Sequence, residues 1–111
     1  MNNKVISTIQ MAIRAQKIVY GETLILNIRQ QKVFVVVLAK DAGIASAKKI
    51  QDKCKTNSIK CIVEFSKEDL KEITKKEISA LGIKDRNLAK KLIDNMNEGS
   101  VFYEKENKTE Q

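Results

Sequence analysis

The residues best suited to chemistry in this sequence surround a single glycine in the stretch KIVYGETLILNIR, which runs from Lys17 to Arg29. An apolar helical pattern begins directly after Gly21, so the glycine is expected at a helix N-terminus, where unpaired backbone N–H groups carry partial positive charge. Such a terminus can bind a phosphate, but a glycine that only begins a helix has the same sequence pattern. The stretch therefore predicts either an anion site or an ordinary helix start.

The remaining side chains offer little for catalysis. The sequence has no histidine, which excludes histidine-based acid–base catalysis, nucleophile activation and metal ligation. Glu68, Asp69 and Glu72 fall at exposed and capping positions of a predicted helix, where solvated charge is the simpler explanation. The sequence also lacks a glycine-rich nucleotide-binding motif. We therefore expect no enzyme, no catalytic residue, no metal site and no cofactor.

Positive charge is concentrated in the first half of the chain. The 111 residues carry a formal net charge of +7. Residues 1–60 contain 11 Lys or Arg against 3 Asp or Glu, whereas residues 61–111 contain 10 against 11. A basic half favours an anionic partner such as nucleic acid or a membrane surface, with solubility as the alternative explanation for surface lysines.

Two cysteines and the first residues of the chain bear on its location. Cys54 and Cys61 are seven residues apart, which is neither a zinc spacing nor a disulfide framework, so both are expected to be buried, reduced thiols. The first 16 residues are amphipathic and lack the continuous apolar stretch of a signal peptide, and the sequence has no run of 18 apolar residues. These features predict a cytoplasmic protein that does not enter a membrane.

Helices and strands alternate along the sequence. The apolar runs KIVY, KVFVVVLA, KCIVEF and ISALGI predict four strands. Ser66 with Asp69 predicts a capping box, and Asp85 is expected to cap the last helix. Apolar residues at helical spacing predict helices near residues 3–15, 22–30, 47–54, 67–75 and 86–96.

This alternation predicts one α/β layered sandwich with helices on both faces of a central sheet. The domain is expected to span residues 1–103. Residues 104–111 contain no apolar side chain and are expected to form a disordered tail.

In a layered α/β fold, strand ends and the helix starts that follow them gather at one edge. Lys17, Gly21, Arg29 and Lys40 are therefore expected to form a basic rim that contacts phosphates. A short helix end with flanking loops suits unpaired bases in structured RNA better than duplex DNA. The polar side chains expected to recognise bases are Glu22, Thr23 and Asn27.

Five strings in order carry a family resemblance: AIRAQKIVYGET, VVVLAKDAG, AKKIQDKC, SKEDL and GIKDRNLAKKL. They resemble the superfamily of small RNA-binding proteins that includes the archaeal and eukaryotic large-subunit ribosomal proteins recognising kink-turns, and specifically its bacterial YlxQ-like branch. The resemblance implies a non-catalytic three-layer α/β/α sandwich. We expect its central sheet to be mixed and four-stranded and the protein to act as a monomer. The resemblance also implies that structured RNA, of the ribosomal or kink-turn type, binds along one edge. The implied segments are 21–27, 40–46 and 74–78, the last with Lys75 and Lys76 where relatives usually have glycines.

The residues after Gly21 leave a second hypothesis open. Kink-turn binders of this superfamily usually place a small residue, then Asn or Lys, then Glu or Gln after the glycine, whereas this chain has Glu22, Thr23 and Leu24. An apolar Leu24 exposed at the helix start would be a partner contact. The alternative function is therefore a protein-interaction module that kept the fold and lost specific kink-turn recognition.

Overall fold

Five helices and five strands alternate in the computed structural model, which describes residues 3–96 and the backbone of residues 101–102. The tail predicted at 104–111 lies outside the described residues. The helices are α1 (Asn3–Arg14), α2 (Glu22–Arg29), α3 (Ile44–Thr56), α4 (Lys67–Thr74) and α5 (Arg86–Asp94). The strands are β1 (Ile18–Tyr20), β2 (Val35–Leu38), β3 (Lys60–Ile62), β4 (Ala80–Ile83) and β5 (Val101–Phe102).

The strands form one mixed sheet in the order β1-β4-β2-β3-β5. β2 and β3 are parallel, whereas β4 runs antiparallel to both β1 and β2. The four predicted strands are all present, and the two-residue β5 adds a short antiparallel edge beside β3. The α/β fold with a central mixed sheet is therefore confirmed.

Each face of the sheet carries its own apolar core. Val35 and Val37 of β2 join the cluster formed with α1, α4 and α5. Val36 and Leu38 join the cluster formed with α2 and α3. Because successive side chains of a strand point to opposite faces, a strand covered on both sides needs apolar residues at every position. This explains the unbroken apolar run that predicted β2.

Two helix starts have the predicted side-chain caps. The backbone N–H of Asp69 donates to Ser66 Oγ at 3.0 Å, and the N–H of Ser66 donates to Asp69 Oδ2 at 3.1 Å. The N–H of Leu88 donates to Asp85 Oδ1 at 2.9 Å at the start of α5. Both predicted caps are confirmed. Within residues 3–96, no helix has the length and apolar character needed to cross a bilayer.

The sheet register brings three chain segments to one edge. Tyr20, at the end of β1, pairs with Leu81, and Leu38, at the end of β2, pairs with Ala80 at the start of β4. The segments that follow β1 and β2 and the segment that precedes β4 therefore lie side by side. This edge holds Gly21 and carries the candidate site.

Candidate nucleic-acid interface

Gly21 joins β1 to α2 in a backbone conformation that favours glycine. Its φ is 72° and its ψ is −148°, in a region that L side chains rarely adopt. A Cβ placed there would meet no atom within 4 Å, so backbone conformation and not space calls for glycine. As the N-cap of α2, Gly21 provides no side-chain hydrogen bond to the first turn. The first turn therefore has N–H groups without a side-chain cap, the arrangement that binds anions.

Lysines from two other segments lie beside this turn. The N–H of Ala39 donates to the carbonyl of Ser79 at 2.7 Å, which holds the segment after β2 against the segment before β4. Lys76 Nζ lies 5.8 Å from the centre of the Tyr20 ring, within cation–π range. We call this surface the Gly21 edge, defined as Gly21, Glu22, Thr23, Lys40, Lys75 and Lys76.

A groove of 590 Å³ opens beside the Gly21 turn, between the starts of α2 and α3 and the segment before β4. Tyr20, Ser46 and Lys49 line it together with Gly21 and Lys76. Ser46 ends the segment 40–46 that the resemblance implied, whereas Lys49 was not predicted as a groove residue because α3 begins at Ile44, three residues before its predicted start. Recognising Gly43 as an N-cap would have placed both side chains in the first two turns of α3.

Two predicted rim residues lie elsewhere. Lys17 precedes β1, and its carbonyl accepts a 2.7 Å hydrogen bond from the N–H of Lys84 at the far end of β4. Arg29 is the last residue of α2, and eight helical residues place it about 12 Å from the helix start. The prediction that Lys17 and Arg29 share a rim with Gly21 is therefore wrong, since both lie toward the opposite edge of the sheet.

Asn27 also departs from the prediction. Its side chain is only 7% exposed, and Nδ2 donates to the carbonyl of Thr23 at 2.8 Å. A buried amide that bonds its own helix is not available to recognise a base. Glu22 and Thr23 remain as exposed polar residues at the start of α2.

Leu24 is 1% exposed and belongs to the core between the sheet and α2. It packs so closely over β4 that a Cβ on Gly82 would lie 2.7 Å from Leu24 Cδ1. The prediction that Leu24 is an exposed partner contact is therefore wrong. The alternative function as a protein-interaction module loses the residue on which it was based.

Acidic groups moderate the charge of the Gly21 edge. Glu22 is exposed in the first turn of α2, where a carboxylate stabilises the helix dipole and also opposes a bound phosphate. Glu77 Oε2 lies 3.1 Å from Lys71 Nζ, and Asp41 Oδ1 accepts from the N–H of Lys67 at 2.8 Å. Lys40, Lys75 and Lys76 are exposed, and within residues 3–96 none of the three forms an ion pair.

The cysteines are free and buried, as predicted. The pKa of Cys54 lies far above its ordinary value because the thiol forms a hydrogen bond with Cys61, is buried, and would be repelled by a Cys61 thiolate. A thiol that stays protonated is a poor nucleophile and a poor metal ligand. Among the described residues, no group of three or more His, Cys, Asp or Glu side chains is arranged to hold a metal ion.

Comparison with known proteins places the chain among bacterial relatives. No family model matches it. It is 35% identical over 89 residues to "RNA-binding protein YlxQ" of Enterococcus faecium, a match that covers 79% of this chain and 86% of the relative. A solved structure of a protein with unknown function from Bacillus halodurans C is 31% identical, with a TM-score of 0.78, and the match covers 82% of this chain and 94% of that one.

The name of the Enterococcus relative describes a binding protein and not an enzyme, which agrees with the expectation that this chain is not catalytic. The match to this relative covers most of both chains, and it therefore identifies the family. The chain belongs to the YlxQ family.

Proposed function

We propose that this protein binds structured RNA, of the kink-turn or ribosomal type, through the Gly21 edge and acts as a cytoplasmic monomer. The observation that carries the proposal is the meeting of three elements around one groove: the Gly21 turn, the start of α3 and the segment holding Lys75 and Lys76. The relative from Enterococcus faecium, which is named as an RNA-binding protein, supports the same partner.

Phosphate contacts supply most of the affinity in this proposal. The uncapped first turn of α2 offers backbone N–H groups, and Lys40, Lys75 and Lys76 add charges that no carboxylate of residues 3–96 pairs in an ion pair. Contacts of this kind fix the position of an RNA and make its affinity fall as salt rises.

Recognition beyond the phosphates falls to the groove and its rim. Tyr20 is 37% exposed at the groove, and Ile44 is 89% exposed at the first residue of α3. Both present apolar surface on which an unstacked base or a ribose can rest. In the first turn of α2, the exposed polar side chains are Glu22 and Thr23. Asn27, in the second turn, is buried. We therefore expect recognition mainly by shape, with few hydrogen bonds to base edges.

Lys75→Gly gives the sharpest test because it separates binding from stability. Lys75 caps α4 in the left-handed conformation, with φ of 65° and ψ of 21°, which glycine adopts more easily than lysine. The variant should therefore melt at a higher temperature than the parent and still bind RNA more weakly. Anisotropy titrations of a labelled kink-turn RNA at several salt concentrations should show that the slope of log K against log salt falls by about 1.

Two further variants complete this experiment. Lys90→Gln removes one positive charge from the outside of α5, where Lys90 pairs with Asp94, and should leave RNA affinity close to that of the parent. Glu22→Gln removes a carboxylate from the edge and should strengthen binding. Equal losses in Lys75→Gly and Lys90→Gln would contradict a site at the Gly21 edge.

The choice of RNA has its own comparison. A kink-turn RNA should bind more tightly than a duplex of the same length without the internal loop. Equal affinities would remove the kink-turn preference and leave binding to structured RNA.

Size-exclusion chromatography with light scattering should give the mass of one chain, and a dimer would contradict the monomer.

A further inference from the structure

A second group of basic residues lies at the opposite end of the sheet. Lys17 precedes β1 and Lys84 follows β4, and a 2.7 Å backbone hydrogen bond joins them. Arg29 ends α2, and the N–H of Lys32, three residues later, donates to the carbonyl of Asn27 at 2.9 Å. We call Lys17, Arg29, Lys32 and Lys84 the opposite edge.

These four residues share one side of the sheet. Ile18 and Ile83 pack into the core formed with α1, α4 and α5. Because side chains alternate along a strand, their neighbours Lys17 and Lys84 point toward the side of α2. Arg29 and Lys32 belong to the end of α2 and the turn that follows it, on the same side. The four cations therefore form one surface.

Among residues 3–96, carboxylates do not balance this surface. Residues 15–17 and 29–33 contain no Asp or Glu. Asp85 is the acidic neighbour of Lys84, but it is partly buried and accepts from the N–H of Leu88 as the cap of α5. All four cations are exposed, and none forms an ion pair within residues 3–96. The Gly21 edge, by contrast, includes Glu22 and has Asp41 and Glu77 close by.

Ordinary roles account for only part of the pattern. Arg29 lies in the last turn of α2, and Lys17 and Lys32 follow the ends of α1 and α2. Their N–H groups donate to the carbonyls of Ala12 and Asn27, so the helix dipoles favour these cations. Lys84 follows a strand and has no such role. Lysines that serve solubility are usually interspersed with acidic residues, and here the signs are separated. A surface with exposed cations that form no ion pair within residues 3–96 suits the phosphates of an RNA backbone.

We propose that the opposite edge is a second RNA-contacting surface that holds the backbone of a double-stranded RNA segment, so that one protein bridges two RNA segments. The inference rests on the proposed function of the Gly21 edge. From Lys32 to Lys40 the chain runs through β2 and its flanking residues, and eight steps of about 3.3 Å span at most about 26 Å. This span fits the dimensions of the molecule, 39 × 27 × 25 Å, and leaves room for RNA at both ends of the sheet.

A bridging assay tests this proposal with defined probes. A biotinylated kink-turn RNA is fixed on beads and incubated with the protein, and capture of a second RNA, a fluorescent duplex of about 20 base pairs, is measured. The parent protein should capture the duplex in proportion to the protein bound. The opposite-edge variant, Lys17→Gln/Lys32→Gln/Lys84→Gln, should remain on the beads and lose most of that capture. Its salt slope for duplex binding should fall by about 2 to 3.

Two control variants separate this inference from the proposed function. Lys48→Gln/Lys90→Gln/Lys91→Gln removes the same charge from exposed outer positions of α3 and α5 and should bridge like the parent. Unchanged bridging by the opposite-edge variant, or an equal loss in the charge-matched control, overturns the second surface. If the double variant Lys75→Gly/Lys76→Gln binds RNA as tightly as the parent while the opposite-edge variant loses all RNA binding, RNA binding by the Gly21 edge is overturned and the second surface stands. Circular dichroism should show the parent fold for every variant.

Discussion

Two N-cap glycines form a matched pair that isolates the cost of the Gly21 backbone conformation. Gly21 and Gly43 each precede a helix without a side-chain cap, and a Cβ at either position would meet no atom within 4 Å. They differ in φ, which is 72° at Gly21 and −56° at Gly43. At either position, replacing glycine by alanine removes a residue that is preferred at an N-cap. It also reduces the conformational freedom of the unfolded chain by a similar amount at both positions. The difference between Gly21→Ala and Gly43→Ala is therefore the strain at Gly21.

That strain should lower the free energy of unfolding by about 1 to 3 kcal/mol for Gly21→Ala relative to Gly43→Ala. For a domain of this size, each kcal/mol corresponds to about 4 to 8 °C in melting temperature, so the two variants should differ by about 4 to 24 °C. Thermal melts followed by circular dichroism at 222 nm measure the difference. Equal melting temperatures would refute the argument that backbone conformation requires glycine at Gly21.

Three other perturbations test the packing, the capping and the titration of the fold. Gly82→Ala places a Cβ 2.7 Å from Leu24 Cδ1 and 2.9 Å from Val33 Cγ1, which should lower the free energy of unfolding in urea by about 1 to 3 kcal/mol. Leu24→Ala should then destabilise the Gly82→Ala variant less than it destabilises the parent. Additive losses of stability would contradict the contact. Ser66→Ala removes the oxygen that accepts from the N–H of Asp69 and should cost about 1 kcal/mol, whereas an unchanged urea midpoint would argue against the capping box. Because the pKa of Cys54 is raised in the folded state, the unfolded chain loses the thiol proton first as pH rises. The free energy of unfolding should therefore be constant below about pH 8.5 and should fall at higher pH. Thermal melts from pH 7 to 10 should show a smaller fall for Cys54→Ala than for the parent, and parallel profiles would exclude Cys54 as the cause.

Much of the fold was predictable because its strands and caps have strong local signals. β2 is covered on both faces, so it had to be a continuous apolar run. The Ser66 and Asp85 caps use side chains that bond the first turn of their own helices, which spacing alone reveals. The start of α3 was misplaced because Asp41 and Gly43 have turn chemistry and a glycine N-cap makes no side-chain hydrogen bond. Ile44, the first residue of α3, is exposed and does not belong to its apolar face.

The site was harder to predict because proximity in sequence is not proximity in space. Lys17 is four residues from Gly21, but a strand advances about 3.3 Å per residue, so the two lie at opposite ends of β1. Leu24 and Ile28 are four residues apart and define the buried face of α2. That spacing was visible in the sequence and indicates a buried Leu24, which the comparison with family patterns obscured.

The most direct test of RNA binding at the Gly21 edge is a map of backbone amide chemical shifts on addition of a kink-turn RNA to ¹⁵N-labelled protein. We expect the largest shifts at Gly21 to Thr23, at Lys40, and at Lys75 and Lys76, with the groove residues Ser46 and Lys49 also affected. Shifts confined to the outer faces of α1 and α5, with no change at the Gly21 turn, would contradict the account.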